Sequence, residues 1–253
     1  MENNYILSST DDTVGIITIN KPANMNALDF EMLASVVWQI KNWEQDENIK
    51  AIVLQGNDKF FVSGIDINEL IAEANQSESK IFDMQKCIER IANSQKPVIA
   101  AVSGAALGIG LELALACDFI LAADNAVFAC PEASLSFIPA FGGIQRLVRT
   151  IGKSKSSEMI LTGKALQAEE ALSSGIVSRI IPLANLKEDA LKTAKRIGSI
   201  STSAAQLARE SIKTAQNNLH EGILSEQKSA KICFLENDFK QSLLNLQNKG
   251  KKA

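Results

Sequence analysis

The chain has 253 residues, 46% of them hydrophobic, and a formal net charge of -3. Such a chain can bury a large core and has room for one or two domains. Its mildly acidic balance speaks against a general nucleic-acid binder, which shows a basic face.

In chain order, Tyr5 to Ser8 and Val14 to Asn20 read as two strands joined by the polar turn Ser9 to Asp12. Lys21 to Leu28 reads as a loop. Asp29 is placed to cap a helix running to about Trp43, with Met32, Val36, Val37 and Ile40 on one side. Ala51 to Leu54 reads as a short strand. Phe60 to Val62 is extended and Ser63-Gly64 turns. Asp66 then caps a further helix, with Glu69 three residues on in a capping-box arrangement. Glu73 to Lys80 is a polar connection, and Ile81 to Ala92 is helical again.

Lys96-Pro97 opens a buried strand, Val98 to Val102, followed by the small-residue run Ser103 to Gly110. That run lets backbone approach a ligand and delivers N–H groups to the start of a helix, Leu111 to Ala116, where an anionic group is welcome. Glu112 sits in the first turn of this otherwise apolar helix. Phe119 to Ala122 and Val127 to Ala129 are extended, Pro131 stops them, and Glu132 follows. A helix outwards and a strand back can return Glu132 near Glu112. Two carboxylates in apolar surroundings beside oriented N–H groups suit acid–base chemistry on a carbonyl compound. The residues alone also allow Glu112 as a plain helix-dipole carboxylate and Glu132 as a surface turn residue. Gly108-Ile109-Gly110 begins a dinucleotide fingerprint but has Leu113 at the third glycine position, a weak match. There is no GxSxG elbow for a nucleophilic serine.

Downstream, Ile144 to Ile151 and Ser154 to Leu161 read as short helices. Ala168 to Ser174 is a helix closed by Gly175, and Ile176 to Ile181 is a strand stopped by Pro182. From Leu183 on strands vanish: Leu186 to Ile197, Ala204 to Gln216 and Ile223 to about Leu246 are helical, with a charged tail. This shift predicts a mixed core over 1–198 and a helical region over 199–253. Four cysteines form no CxxC pair, and three lie in apolar settings, which predicts buried free thiols and a reducing compartment. His220 is the one histidine and has no partner at zinc spacing, so no metal is expected. The N-terminus shows neither a signal nor a transit pattern, and no apolar run reaches membrane-spanning length. The expectation is a cytoplasmic protein without membrane or nucleic-acid partners.

Three stretches resemble the enoyl-CoA hydratase/isomerase (crotonase) family: Lys96 to Asp118 with Phe128 to Leu147, Phe60 to Ile67, and Leu161 to Pro182. They lie in order and span nearly the whole chain. The resemblance implies an α/β fold, a spiral of ββα turns followed by a helical C-terminal region used in a homotrimer or a dimer of trimers. It implies an acyl-CoA thioester substrate, no metal or redox cofactor, and hydration of trans-2-enoyl-CoA to 3-hydroxyacyl-CoA. By the same resemblance the N–H groups of Ser63 and Ile109 form an oxyanion hole. Glu132 is the base on a water, and Glu112, or the water it shares with Glu132, serves the α-carbon. Substrate contacts fall to Ala27, Ser63, Gly64, Ile65, Asp66, Ile67, Gly108, Ile109, Pro139, Ala140 and Phe141. Both glutamates favour a hydratase; a Δ3-Δ2-enoyl-CoA isomerase is the alternative, and a non-catalytic acyl-CoA or RNA-binding relative a more distant one. Two departures stand out. Ile109 occupies a position usually held by glycine or alanine, and Ala140-Phe141 replaces a small pair, which predicts a crowded acyl tunnel.

Overall fold

The computed structural model describes residues 3–74, 81–215, 219–235, 237–239 and 241. The chain begins with an antiparallel hairpin, β1 (Ile6–Asp11) and β2 (Val14–Ile19). Its turn is shorter than the sequence suggested: Ser9 and Thr10 stay in the ladder opposite Ile16 and Gly15. Asp12 takes the left-handed conformation (φ 54°), which Asp tolerates better than most residues. Helix α1 (Phe30–Gln45) starts where Asp29 predicts, its Oδ1 accepting from the Met32 N–H at 2.8 Å. Met32, Val36, Val37 and Ile40 are buried along one face. Lys96 reaches the other end, where its ammonium donates to the carbonyls of Trp43 and Asp46.

The chain then repeats one move. A first strand is followed by a second and then by helix: β3 (Ala51–Gln55), β4 (Phe60–Val62), α2 (Ile67–Ala74) and α3 (Ile81–Ala92). The next turn is β5 (Val98–Val102), β6 (Ala105–Leu107) and α4 (Ile109–Ala116). The third is β7 (Phe119–Ala123), β8 (Val127–Ala129), a 3-10 turn (Pro131–Leu135) and α5 (Gly143–Thr162). After β9 (Leu166–Gln167) and α6 (Ala168–Ser174), β10 (Arg179–Ile181) leads into α7 (Leu186–Gly198). The first strands join a six-stranded sheet, β1-β2-β3-β5-β7-β10, and the second strands a four-stranded sheet, β4-β6-β8-β9. From β3 to β8 each turn of the spiral thus adds one parallel strand to each sheet, and β9 then pairs antiparallel with β8. β5 is buried at every position, which is why Val98 to Val102 reads as an unbroken apolar run rather than an alternation.

Several readings need correction. The small-residue run is not all loop, because Ala105 to Leu107 form β6 between β4 and β8. β9 carries no signal in its two residues. The strand read from Ile176 begins only at Arg179. α5 joins the two short helices read there across a kink at Gly152 (φ 77°, ψ 166°). Glu69 does not close a capping box: its Oε1 accepts from the N–H of Phe30, at the start of α1, at 3.1 Å. α2 continues through Glu73 to Ala74, and residues 75–80 lie outside the described residues. Of the four free cysteines, Cys117 and Cys130 are buried and Cys87 and Cys233 half-buried.

The chain divides into units Met1–Lys195 and Arg196–Ala253, a division that falls within α7. In the second unit, α8 (Thr202–Ala215) and α9 (Leu219–Leu235) flank a cavity of about 640 Å³, lined by Leu207, Ile212 and Cys233 among others. Ile223, Leu224 and Ile232 are exposed on α9, whereas the side chains of Phe234 and Leu235 and the helix expected to reach 246 lie outside the described residues.

Candidate active site

β4, β6 and β8 are parallel neighbours, and each ends in a residue group singled out above. Ser63-Gly64 follows β4, Gly108 follows β6, and Cys130 to Glu132 follow β8. One edge of a small parallel sheet therefore gathers residues far apart in sequence, at the carboxyl ends of strands where such sheets bind ligands.

Gly108 is the pivot. Its backbone (φ 54°, ψ -123°) is closed to residues with a Cβ, and a Cβ placed there would sit 2.8 Å from Glu132 Oε1. Its amide donates to Ala129 of β8 at 2.9 Å, and its carbonyl accepts from the N–H of Glu112 at 3.0 Å. Two residues on, Gly110 brings α4 against β4: a Cβ there would lie 2.3 Å from the Val62 carbonyl oxygen. The start of α4 thereby approaches the Val62–Ser63 peptide. Among the described residues neither the Ser63 nor the Ile109 N–H donates to a protein acceptor.

Glu112 is completely buried on α4. Its Oε1 accepts from the amides of Phe141 and Gly143, both at 2.8 Å, while Oε2 is buried without a hydrogen-bond partner among the described residues. Burial pushes its pKa up to about 7 against the pull of those two amides, and the Glu132 charge adds to the rise. Glu132, half-buried in its 3-10 turn, likewise has a buried Oε2 without such a partner, and burial raises its pKa. A helix outwards and a strand back do bring the two carboxylates within electrostatic reach. Cys130 lies between them in sequence and feels both charges, which together with burial push its thiol up to about 12 and keep it an uncharged filler at neutral pH.

The other candidates divide. Leu28 donates to the Gly64 carbonyl at 2.9 Å and accepts from the Asp66 N–H at 2.7 Å, so Ala27, Gly64 and Ile65 lie along one edge. The Asp66 carboxylate is occupied: Oδ2 takes Lys21 at 3.0 Å and Asn24 at 2.8 Å, and Oδ1 takes the Asn68 amide at 3.0 Å. Lys21 also pairs with Asp29 at 3.1 Å, tying the starts of α1 and α2 together. Ile67 is 69% exposed. Pro139 is buried, Ala140 half-buried, and the Phe141 ring belongs to the hydrophobic core. Among the described residues no group of three His, Cys, Asp or Glu is placed to hold a metal ion. No described helix is long and apolar enough to cross a membrane.

Two residues escaped the sequence reading. Asn26, fully buried with φ 58°, donates to the carbonyls of Ile19, Phe60 and Phe61 and so bolts the 21–28 loop to β4. Arg146 on α5 donates to the Phe141 carbonyl at 3.1 Å and lies close to Glu112. Neither residue stands out from its neighbours in sequence. An arginine four residues into a helix with an apolar flank reads as an ordinary surface group.

Residues 9–253 match the family model described as enoyl-CoA hydratase/isomerase. A probable enoyl-CoA hydratase of Rhizobium meliloti is 39% identical over 244 residues, covering 96% of this chain and 95% of its own. A short-chain-enoyl-CoA hydratase of Clostridium acetobutylicum is 34% identical, with 96% and 94% covered. The crystal structure of an enoyl-CoA hydratase from Bacillus anthracis superposes with a TM-score of 0.90 at 31% identity, covering 97% of each chain. With its spiral of ββα turns and this match along nearly its whole length, the chain belongs to the enoyl-CoA hydratase/isomerase (crotonase) family.

Proposed function

We propose that this protein is an enoyl-CoA hydratase, adding water across a trans-2-enoyl-CoA to give a 3-hydroxyacyl-CoA in fatty acid metabolism. One observation carries the reading: two carboxylates each offer a buried oxygen without a hydrogen-bond partner among the described residues, near two backbone amides that have no protein acceptor among them. Hydration needs both parts. Attack of water at the β-carbon drives charge onto the thioester oxygen, and the N–H groups of Ser63 and Ile109, with the start of α4 behind them, are the donors for that charge. Water must lose a proton and the α-carbon must gain one. Like charges held close in apolar surroundings favour one shared proton, leaving one carboxylate as base and one carboxyl as acid. The pair acts as a unit and ends each cycle as it began, with no cofactor in the balance.

A short acyl chain is the substrate we favour, since Phe141, whose amide anchors Glu112, carries a bulky buried ring at that point, and one relative bears the short-chain name. The exposed Ile223, Leu224 and Ile232 of α9 suit burial in a homotrimer or a dimer of trimers. The test is hydration of crotonyl-CoA by the parent and by Glu132→Gln, with a 3-enoyl-CoA in parallel. The parent should hydrate crotonyl-CoA, and the variant should lose at least ~10²-fold. Turnover of the 3-enoyl-CoA alone would make the protein an isomerase, and an unimpaired variant would take Glu132 out of the reaction.

A further inference from the structure

Glu112 is held by a turn, and the turn is held by Arg146. The carboxylate takes its two hydrogen bonds from the amides of Phe141 and Gly143, on either side of Gly142. Gly142 is left-handed (φ 90°), and a Cβ on it would lie 2.4 Å from Arg146 Nη1, so the Nη1 end of the guanidinium occupies the space that the missing side chain leaves. Nη1 donates to the Phe141 carbonyl at 3.1 Å, and the Arg146 N–H donates to the Gly142 carbonyl at 3.0 Å. Side chain and main chain of this one residue thus both bond the 141–143 turn, and its positive charge acts on the same carboxylate.

We propose that Arg146 is the positioning residue for Glu112: it pins the turn whose amides orient the carboxylate, and it brings a positive charge to that turn. The proposal rests on the reading of Glu112 as a working carboxylate. The electrostatic surroundings agree with the geometry. Burial lowers the Arg146 pKa, and among the charges that raise it Glu112 comes first, ahead of Glu89 on α3 and Cys117 at the end of α4, with Arg149 on its own helix acting the other way. Facing Glu112 are Glu132, which raises its pKa, and Arg146, which lowers it; Cys130, the third titratable group in the cluster, stays neutral at working pH. The carboxylate pair therefore titrates under the opposing influence of one half-buried cation and its own mutual repulsion.

The test is the pH profile of kcat for crotonyl-CoA hydration by the parent, Arg146→Met, Arg146→Gln and Arg146→Lys. Met keeps the stem and loses both donor and charge. Gln keeps a donor for the Phe141 carbonyl and loses the charge; Lys keeps the charge and loses the planar fork. Removing a cation makes the pair easier to protonate, so the Met and Gln profiles should move to higher pH by about one unit, and Lys should stay near the parent. On the acidic limb that shift is about a tenfold loss of kcat, with KM changed by less than threefold. A role confined to packing would lower the profile without moving it. As a readout independent of turnover, the Glu112 carboxyl is titrated by carbon NMR in a Glu132→Gln background, with and without Arg146→Gln. A higher midpoint without the arginine is expected. Unmoved profiles and an unmoved carboxyl midpoint in the neutral variants would overturn the proposal. So would failure of all three variants to fold, since the residue would then hold the fold rather than the carboxylate. A parent with no hydratase activity but a shifted Glu112 midpoint would sink the functional reading and leave the positioning role standing.

Discussion

Gly143→Ala adds a single methyl group at the point where the scaffold touches the chemistry. Gly143 opens α5 and donates its amide to Glu112. A Cβ there would lie 2.4 Å from Glu112 Cγ, 2.6 Å from Oε1 and 2.8 Å from Cδ. Carbon atoms settle about 3.5–4.0 Å apart, so the carboxylate must retreat by roughly 1 Å. It has no room to do so, since Glu112 has no exposed surface and Leu111 and Leu113 beside it have none either. Overpacking of this kind costs about 1–3 kcal/mol, and stretching the amide's hydrogen bond to a charged acceptor adds about 1 kcal/mol more. The better helix propensity of alanine returns about 0.5–1 kcal/mol. We expect a net loss of about 1–3 kcal/mol in denaturant unfolding, and a fall in kcat on the order of 10²-fold, the usual effect of a 1 Å misplacement. Hydration is followed by the loss of enoyl-thioester absorbance. The control is Gly152→Ala, at a positive φ of 77° but with nothing within 4 Å of the added carbon. It should lose about 1–3 kcal/mol to backbone strain and keep its turnover. A folded Gly143→Ala protein with parental kcat would refute the argument that this contact sets the position of Glu112.

Glu112 holds its proton more tightly in the folded chain, at about 7 against an ordinary 4.5. The stability this confers is complete below about pH 4.5 and is lost as pH rises through 7. Glu112→Gln should therefore match the parent near pH 4 and exceed it at pH 8 by up to about 3 kcal/mol, at 1.36 kcal/mol per unit; identical unfolding curves at pH 8 would contradict this. Ile109→Pro removes one amide donor at a helix position that tolerates proline. Turnover should drop on the order of 10²–10³-fold with the melting curve retained, and near-parental hydration would strike Ile109 from the oxyanion hole. The double variant Glu112→Gln with Glu132→Gln should be only slightly slower than the slower single variant, because the two act on one proton. Fully additive losses would mean separate steps.

Helices and buried strands were legible wherever a local signal decided them. Asp29 before an apolar stripe fixed the start of α1, and Gly175 at φ 90° closed α6 as read. The run Val98 to Val102 became β5 without a residue's error, since a strand covered on both faces must be apolar throughout. What failed to show was decided at long range. Ala105 to Leu107 become a strand only because β4 and β8 arrive on either side. Glu69 has the spacing of a local cap but finds the free N–H of Phe30, thirty-nine positions away. Arg146 gains its place from the turn at Gly142, which no pattern around Arg146 announces. The two glutamates were legible as oddities in apolar runs; that each keeps a buried oxygen without such a partner was not.

The site is made largely by leaving side chains out. A Cβ on Gly108 would meet Glu132, one on Gly110 would meet the Val62 carbonyl, and one on Gly143 would meet Glu112. At these three places the absence of a Cβ lets backbone approach the two carboxylates and the Val62–Ser63 peptide. A lysine or arginine recruited to polarise a thioester would have to be ordered, at about 2 kcal/mol of rotamer entropy. An amide at the first turn of α4 is already ordered by the helix and needs no reorganisation as charge develops. The cost falls on the carboxylates instead. They are buried without full hydrogen bonding, and the fold limits that cost with two amides on Glu112 and one arginine behind them. On this reasoning the three glycines are less replaceable than most charged residues on the surface: a side chain at Gly108 or Gly143 would move a carboxylate oxygen, and one at Gly110 would move the Val62–Ser63 peptide.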